Sequence, residues 1–246
     1  MVAVLAQKWR ISTRVGQFDF DLRILAWMIG LALLLAGGIW LRDHPQHNPF
    51  ASLDLSHEPG LATQLQIQAI IKNRGACRAA LNSAGVDFTT LSPVGDGPCG
   101  LIDRTRLSKS MLRPARPIST CPVAAGLEMW TRHGLQKAAQ DHLGTRVVRI
   151  EHRGTNSCRR VNGSPNGPWS DHATGNAIDI VAFVMADGRR VSVLNGWGNG
   201  KEGTFLKAAR DAACESFTTV MSPDYNVEHN THFHLDQGTR WAMVCR

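Results

Sequence analysis

The sequence predicts an α+β domain whose mainly antiparallel sheet is flanked by helices and preceded by one N-terminal transmembrane helix. Three observations predict this class. An apolar run occupies residues 24–41, two segments with helix start and stop signals follow it, and the second half carries short segments rich in β-branched residues. With 246 residues, 43% of them hydrophobic and 19% charged, the chain can bury a core, which excludes disordered and collagen-like architectures.

The apolar run from Ile24 to Leu41 is predicted to be a membrane helix, because it lacks charge and approaches the roughly 20 apolar residues that span a bilayer. Four basic and two acidic residues precede it: Lys8, Arg10, Arg14 and Arg23 against Asp19 and Asp21. The positive-inside bias therefore puts residues 1–23 in the cytoplasm and residues 42–246 outside. We interpret residues 24–41 as an uncleaved signal anchor, since Ala36-Gly37-Gly38 is a poor cleavage site. A cleaved signal peptide and a buried core helix are the alternatives.

The cysteines and the net charge further restrict the class of protein. All six cysteines follow the apolar run: Cys77, Cys99, Cys121, Cys158, Cys214 and Cys245. An even count outside the cytoplasm predicts up to three disulfides, with the pairing left open. The absence of a Cys-x-x-Cys pair argues against zinc-ribbon and thioredoxin-type domains. The formal net charge of +7 suits an anionic partner without identifying one.

Residues 42–60 are predicted to be a linker, because they are rich in proline, histidine and polar residues and lack periodicity. One domain, residues 61–246, follows. Ala62 to Arg74 is predicted to be a helix. A second helix begins after Thr120, a candidate N-cap, and ends at Gly144.

Five segments of the second half are predicted to be strands from their β-branched residues or alternating polarity: 146–152, 177–183, 190–194, 217–221 and 232–236. A helix over Thr204 to Ser216, which buries Phe205 and several alanines, interrupts them. Ala186-Asp187-Gly188-Arg189 separates the second and third strands and predicts a hairpin turn. These connections favour antiparallel neighbours.

Ser170 to Ile180 is the first segment that carries chemistry. His172 lies in a glycine-rich and polar segment before the strand, and Asp179 lies near the start of that apolar strand. Because side chains alternate along a strand, Asp179 points away from the face that Ile178 and Ile180 pack into. A buried carboxylate needs a partner or a metal ion, since an unpaired buried charge is costly.

The second segment is His229 to Asp236. On a strand, His232, His234 and Asp236 share one face, while Phe233 and Leu235 take the other. Two histidines and a carboxylate are a common ligand set for catalytic zinc. The alternative is structural: a single strand histidine is more often a satisfied core residue, and Asp179 closes a turn.

These motifs resemble those of a known superfamily. Ser170, His172, Gly175, Ala177 and Asp179 reproduce the Ser-x-His-x-x-Gly-x-Ala-x-Asp signature of the metallopeptidases that include lysostaphin, D-Ala-D-Ala carboxypeptidases and the hedgehog signalling domain. His232-Phe233-His234 matches its His-x-His signature. Over roughly residues 70–246 the chain most resembles the extensin-like C-terminal domain family, through these further matches: Cys77, Gly85-Val86-Asp87-Phe88, Gly97-Pro98-Cys99, Thr120-Cys121-Pro122, Ser157-Cys158-Arg159 and Asp187-Gly188-Arg189.

The resemblance implies a zinc peptidase that acts on bacterial cell-wall peptides, in bonds that involve D-amino acids. The zinc ligands would be His172, Asp179 and His234. His232 is the first candidate for the residue that accepts the proton of the attacking water. His229 is the second candidate, from the His-x-x-His-x-His spacing of penicillin-insensitive murein endopeptidases, and Glu228 is the third. The glutamate that vancomycin-resistance-type dipeptidases place three residues before the last zinc histidine is replaced here by Thr231.

Two further residues are candidates for substrate binding. Arg159 occupies a position where superfamily members often carry a substrate-binding arginine, and its guanidinium suits a stem-peptide carboxylate; the alternative is a surface charge beside a disulfide. Ser170 either positions substrate or caps a turn.

The expected partners are peptidoglycan peptides, together with the inner membrane through residues 24–41, so the catalytic domain is expected in the periplasm. Asn195 to Gly200 is glycine-rich, but Lys201 is followed by Glu202 instead of Ser or Thr, so no nucleotide is expected. Nucleic acid is not expected either. The rival hypothesis is a catalytically silent, zinc-containing module that binds peptidoglycan.

Overall fold

The chain divides between His44 and Pro45 into two units, and the described part of the first unit is mainly one long helix. The structure, a computed structural model, describes residues 15–114, 116–198, 200–239 and 243–246, so residues 1–14 of the expected cytoplasmic segment lie outside the described residues. Helix α1 spans Val15–Asp43, and its portion Phe20–Asp43 is long and apolar enough to cross a membrane. The prediction of one N-terminal apolar helix is therefore confirmed.

The second unit, Pro45–Arg246, combines helices and strands. Its described helices are α2 (Thr63–Lys72), α3 (Arg74–Ser83), α4 (Cys121–Met129), α5 (Gln136–Leu143), α6 (Val193–Gly196) and α7 (Gly200–Cys214). Its described strands are β1 (Phe88–Thr90), β2 (Thr105–Leu107), β3 (Leu112–Arg113), β4 (Val147–His152), β5 (Ala177–Met185), β6 (Arg190–Ser192), β7 (Thr219–Met221), β8 (Phe233–Asp236) and β9 (Val244–Cys245). The α+β prediction is confirmed.

The main sheet is mixed, so the prediction of a mainly antiparallel sheet is wrong. Its order is β3-β4-β5-β8-β7-β9, with β6 paired to β5. Antiparallel pairing joins β4, β5, β6, β8 and β7, whereas β3 and β9 pair in parallel with β4 and β7. Each parallel strand has two residues, which is too short for an alternation of polarity that a sequence could reveal.

The helical predictions hold with differences at their ends. α2 stops at Lys72, and Asn73 then caps α3 with a side chain that accepts a hydrogen bond from the Ala76 amide. The helix after Thr120 runs from α4 through a π-helical turn into α5 and ends at Gly144, whose φ of +65° is favourable for glycine. Thr120 makes no cap, because its hydroxyl donates to the Asn176 side chain at 2.7 Å.

Two apolar clusters fill the second unit. The larger surrounds Phe183 of β5, whose ring lies 6.2 Å from that of Phe233 and 5.3 Å from that of Phe205. The smaller packs α2, α3 and α4 and includes Leu53 and Leu55, which belong to the segment expected as a linker. Burial of Phe233 on the core side of β8 directs its neighbours His232 and His234 to the opposite face of the strand.

All six cysteines are paired, in agreement with the prediction of up to three disulfides. The bonds are Cys77–Cys121, Cys99–Cys158 and Cys214–Cys245. The first is buried in the smaller apolar cluster. The third joins the end of α7 to β9, so a covalent link holds this short strand at the sheet edge.

Candidate metal centre

A tight turn presents His172 immediately before β5. Ser170 caps a 3-10 turn over Asp171–Thr174, and its hydroxyl oxygen accepts a hydrogen bond from the His172 amide at 3.3 Å. Gly175 ends the turn with a φ of +70°, a conformation that costs other residues free energy. The chain can therefore reverse between His172 and the first residue of β5.

The pairing of β5 with β8 brings the other two candidate ligands together. In this antiparallel ladder Asp179 lies directly opposite His234, and Ile180 lies opposite Phe233. Directly opposed side chains on one face are the closest neighbours across a sheet. The apolar pair is buried in the core, so the polar pair projects to the other face.

Three potential ligand atoms converge on one point. His172 Nε2 and His234 Nδ1 each lie 3.1 Å from Asp179 Oδ1, and these two nitrogens are 3.2 Å apart. Tetrahedral zinc with bonds of about 2.0–2.1 Å holds its ligand atoms about 3.3 Å apart. Two imidazole nitrogens and one carboxylate oxygen also suit zinc chemically. The three residues therefore fit a zinc ion in donor type and in spacing.

The second ring nitrogen of each of the two histidines also has a hydrogen-bond partner. His172 Nδ1 lies 3.1 Å from the Thr155 carbonyl oxygen. His234 Nε2 lies 3.1 Å from Asp236 Oδ2. Neither Thr155 nor Asp236 belongs to the ligand set expected from the sequence. The proximity of Asp236 to His234 could be predicted from the sequence, because the two residues share a strand face. The Thr155 carbonyl is a main-chain acceptor, so no sequence pattern predicts its contact.

The electrostatics favour a bound cation. Burial raises the pKa of Asp179, but hydrogen bonds from His172 and His234 outweigh it and hold the pKa well below its usual range. Burial lowers the pKa of His234, but its contacts with Asp179 and Asp236 raise it to about 9. The centre thus keeps an ionised carboxylate and holds a proton that a metal ion can replace.

A cavity of about 180 Å³ opens above the centre. Ten residues line it: Arg159, Val161, Asn162, Ser170, Asp171, Met221, Glu228, His229, His232 and His234. All three base candidates named above, His232, His229 and Glu228, are among them. Arg159 is exposed at the rim, and Ser170 is buried where it caps the turn of His172.

His232 is the base candidate that lies nearest the ligand atoms in the described contacts. Its Nε2 is 3.6 Å from Asp179 Oδ1, while the described contact of His229 with a candidate ligand is to the His234 ring, with the two ring centroids 5.8 Å apart. Burial lowers the pKa of His232. Burial, with His232 and His234 nearby, lowers the pKa of His229 to about 4. Both rings are therefore neutral near pH 7 and available to accept a proton.

Comparison with known proteins gives one match. Residues 75–246 match the sequence model of the family described as extensin-like protein C-terminus. Neither the curated proteins nor the solved structures contain a match. The matched range covers more than half of the chain and includes every residue of the centre. The chain therefore belongs to the extensin-like protein C-terminus family.

Proposed function

We propose that this protein is a membrane-anchored, zinc-dependent peptidase that hydrolyses peptide bonds involving D-amino acids in peptidoglycan stem peptides or cross-links. The observation that carries the proposal is the convergence of His172 Nε2, Asp179 Oδ1 and His234 Nδ1 within 3.2 Å of one another, beneath a cavity that His229 and His232 also line. The signature residues of the lysostaphin, D-Ala-D-Ala carboxypeptidase and hedgehog superfamily support this reaction class.

His172, Asp179 and His234 would hold the zinc ion. When bound, zinc supplies a Lewis acid that polarises the scissile carbonyl and lowers the pKa of water. His232 accepts the proton of the attacking water and returns it to the departing amine nitrogen, so its own protonation state is restored after each turnover. His232 Nδ1 lies 3.1 Å from the Thr231 hydroxyl oxygen, a contact that orients the ring.

Residues at the rim of the cavity bind the substrate. The exposed guanidinium of Arg159 binds a carboxylate of the stem peptide through two parallel hydrogen bonds. Arg160, the next residue, stacks over Trp169 at 4.5 Å from its ring centroid, which holds the base of the segment that carries Arg159 and Val161. The cavity is smaller than the roughly 300–1,000 Å³ of drug-sized pockets, in keeping with a site that takes one or two amino-acid residues.

Helix α1 anchors this enzyme in the inner membrane, with residues 1–23 in the cytoplasm and the second unit in the periplasm. The three disulfides support an oxidising compartment. A phosphatase reporter that is active only in the periplasm, fused after Arg246, is expected to be active. A cytoplasmic orientation would leave it inactive.

Metal content and muropeptide digestion, measured on the same samples of full chain in detergent, test the enzyme. Wild type is expected to hold one zinc per chain and to release product. Asp179→Ala is expected to lose both. His232→Ala is expected to keep zinc while turnover falls by about 10²–10⁴-fold, and His229→Ala to retain more activity.

The outcomes separate the competing functions. Stoichiometric zinc without cleavage of any muropeptide would favour the silent, zinc-containing peptidoglycan-binding module. A folded wild type without zinc would overturn the metallopeptidase. Full activity of His232→Ala combined with loss in His229→Ala would move the base to His229.

A further inference from the structure

Asp236 is a carboxylate buried at the end of the strand that carries the candidate ligand His234. It is fully buried, with 0% exposure, on β8, which lies between β5 and β7 in the sheet. A carboxylate in such a place is costly unless hydrogen bonds satisfy it. Its Oδ1 accepts a hydrogen bond from the Gly238 amide at 2.8 Å, and its Oδ2 faces His234 Nε2 at 3.1 Å.

The backbone after β8 closes over this carboxylate. A Cβ atom at position 238 would lie 3.0 Å from Asp236 Oδ1 and 3.2 Å from Asp171 Oδ2. Glycine at this position therefore lets the main chain approach closely enough to donate its N–H. Asp236 is fixed from two sides, by a main-chain donor and by an imidazole.

The contact with Asp236 determines which nitrogen of His234 faces the centre. Both nitrogens of His234 face a carboxylate, Asp179 at Nδ1 and Asp236 at Nε2, and an ionised carboxylate only accepts hydrogen bonds. A divalent cation at the centre would displace the hydrogen from Nδ1, and Asp236 would keep the remaining hydrogen on Nε2. The lone pair is then on Nδ1, the atom that lies 3.1 Å from Asp179 Oδ1. His172 has the opposite arrangement, because the Thr155 carbonyl accepts from its Nδ1 and leaves Nε2 for the centre.

Charge gives Asp236 a second effect. Asp179 would face a divalent cation at the centre directly, and Asp236 would face it through the His234 ring. The two negative charges would balance the cation in a region where His234 is only 9% exposed. A carboxylate behind the ring also makes the imidazole a stronger ligand than a neutral acceptor would.

We propose that Asp236 is a positioning residue that fixes His234 in the tautomer whose Nδ1 binds zinc and that strengthens this ligand by its charge. The inference rests on the proposed zinc site and extends it to a residue outside the ligand set and outside the described lining of the cavity.

Zinc affinity of Asp236→Asn tests the proposal in the full chain in detergent, by competition with a chromophoric chelator. Asparagine has nearly the same shape but lacks the charge, and its NH₂ group can turn toward Nε2 and favour the wrong tautomer. The zinc Kd is expected to rise about 10–100-fold. The matched control is Asp103→Asn, which removes a mostly buried carboxylate that accepts from the Cys121 amide at 2.8 Å and lies outside the described lining of the cavity; it is expected to bind zinc nearly as tightly as wild type.

Nitrogen-15 NMR of histidine-labelled wild type supplies a readout that a merely structural role would not move. In the zinc-loaded protein the hydrogen of His234 is expected on Nε2, and that of His172 on Nδ1. Asp236→Glu is expected to recover affinity only in part, because the longer side chain must shift to reach Nε2. The NMR experiment needs no variant, so a His234 hydrogen on Nδ1 would overturn the inference even if Asp236→Asn does not fold.

Three results would overturn this inference without overturning the proposed function: unchanged zinc affinity in Asp236→Asn, equal losses in Asp236→Asn and Asp103→Asn, or a His234 hydrogen on Nδ1 in the zinc-loaded wild type. Absence of zinc from the wild type would instead overturn the proposed function and, with it, the role of Asp236.

Discussion

Removal of the Cys99–Cys158 disulfide is expected to lower both the stability of the second unit and its affinity for zinc. The two cysteines are 59 residues apart, and a cross-link over such a loop reduces the entropy of the unfolded chain by an amount worth about 4.2 kcal/mol at 25 °C. Cys99 is half-buried and Cys158 is exposed, so serine at both positions leaves no buried cavity. At about 2–4 °C per kcal/mol, the melting temperature should fall by roughly 8–16 °C.

The effect on zinc follows from the residues beside Cys158. The Ser157 amide donates to the His172 carbonyl at 3.0 Å, and the Asn156 side chain donates to the same oxygen at 3.2 Å. The carbonyl of Thr155 accepts from the ring of His172. A looser segment 155–158 orders His172 less well, so the zinc Kd is expected to rise.

The matched control is the double serine variant of Cys214 and Cys245. These cysteines are 31 residues apart, which corresponds to about 3.7 kcal/mol, and neither is fully buried. A similar loss of melting temperature is expected with little change in zinc affinity. Thermal unfolding of the full chain in detergent, followed by tryptophan fluorescence, and chelator competition measure the two quantities. Equal changes of zinc affinity in both variants, or an unchanged melting temperature in the first, would refute the reasoning.

Three further outcomes are expected. Gly126→Ala should lower the free energy of unfolding in urea by about 1–3 kcal/mol, because its Cβ would lie 2.8 Å from the Ser216 carbonyl oxygen; an unchanged midpoint would contradict this contact. Gly175→Ala should cost about 1–2 kcal/mol through backbone strain alone, since its φ is +70° and its nearest new contact, with Leu101, is 3.7 Å. Zinc binding at pH 7.5 should release about one proton per chain, because His234, with a pKa of about 9 in the metal-free centre, is protonated there and must lose its proton from Nδ1. Calorimetry in buffers of different ionisation enthalpy measures this release, which should vanish above about pH 10; binding heats that do not vary with buffer would exclude it.

Strand periodicity explains why the sequence could predict the face of the candidate ligands. Alternation along the strand predicts that His232 and His234 project from one face and Phe233 from the other. It predicts likewise that Asp179 projects from the face opposite to that of Ile178 and Ile180. The buried apolar residues then fix the register, because a slip of one residue would turn Phe233 to the cavity. Pattern and packing thus agree at this point of the fold.

Other features depend on contacts that no local pattern encodes. β3 and β9 have two residues each and exist because distant segments pair with them. α3 follows α2 after a single residue, and its start depends on one Asn73 side chain. The contact of His172 with the Thr155 carbonyl is made by a backbone atom, so the identity of residue 155 reveals nothing about it.

The position of β8 inside the sheet has a consequence for how the proposed zinc ion would be acquired. Strands on both sides hydrogen-bond to β8, and the disulfides and apolar clusters add contacts that involve none of the three candidate ligands. Small metal-dependent domains fold only when they bind their metal ion. Here the packing of the fold already orders the three candidate ligands. On the proposed function, chelation is expected to abolish activity while the second unit stays folded, and added metal is expected to restore activity without refolding.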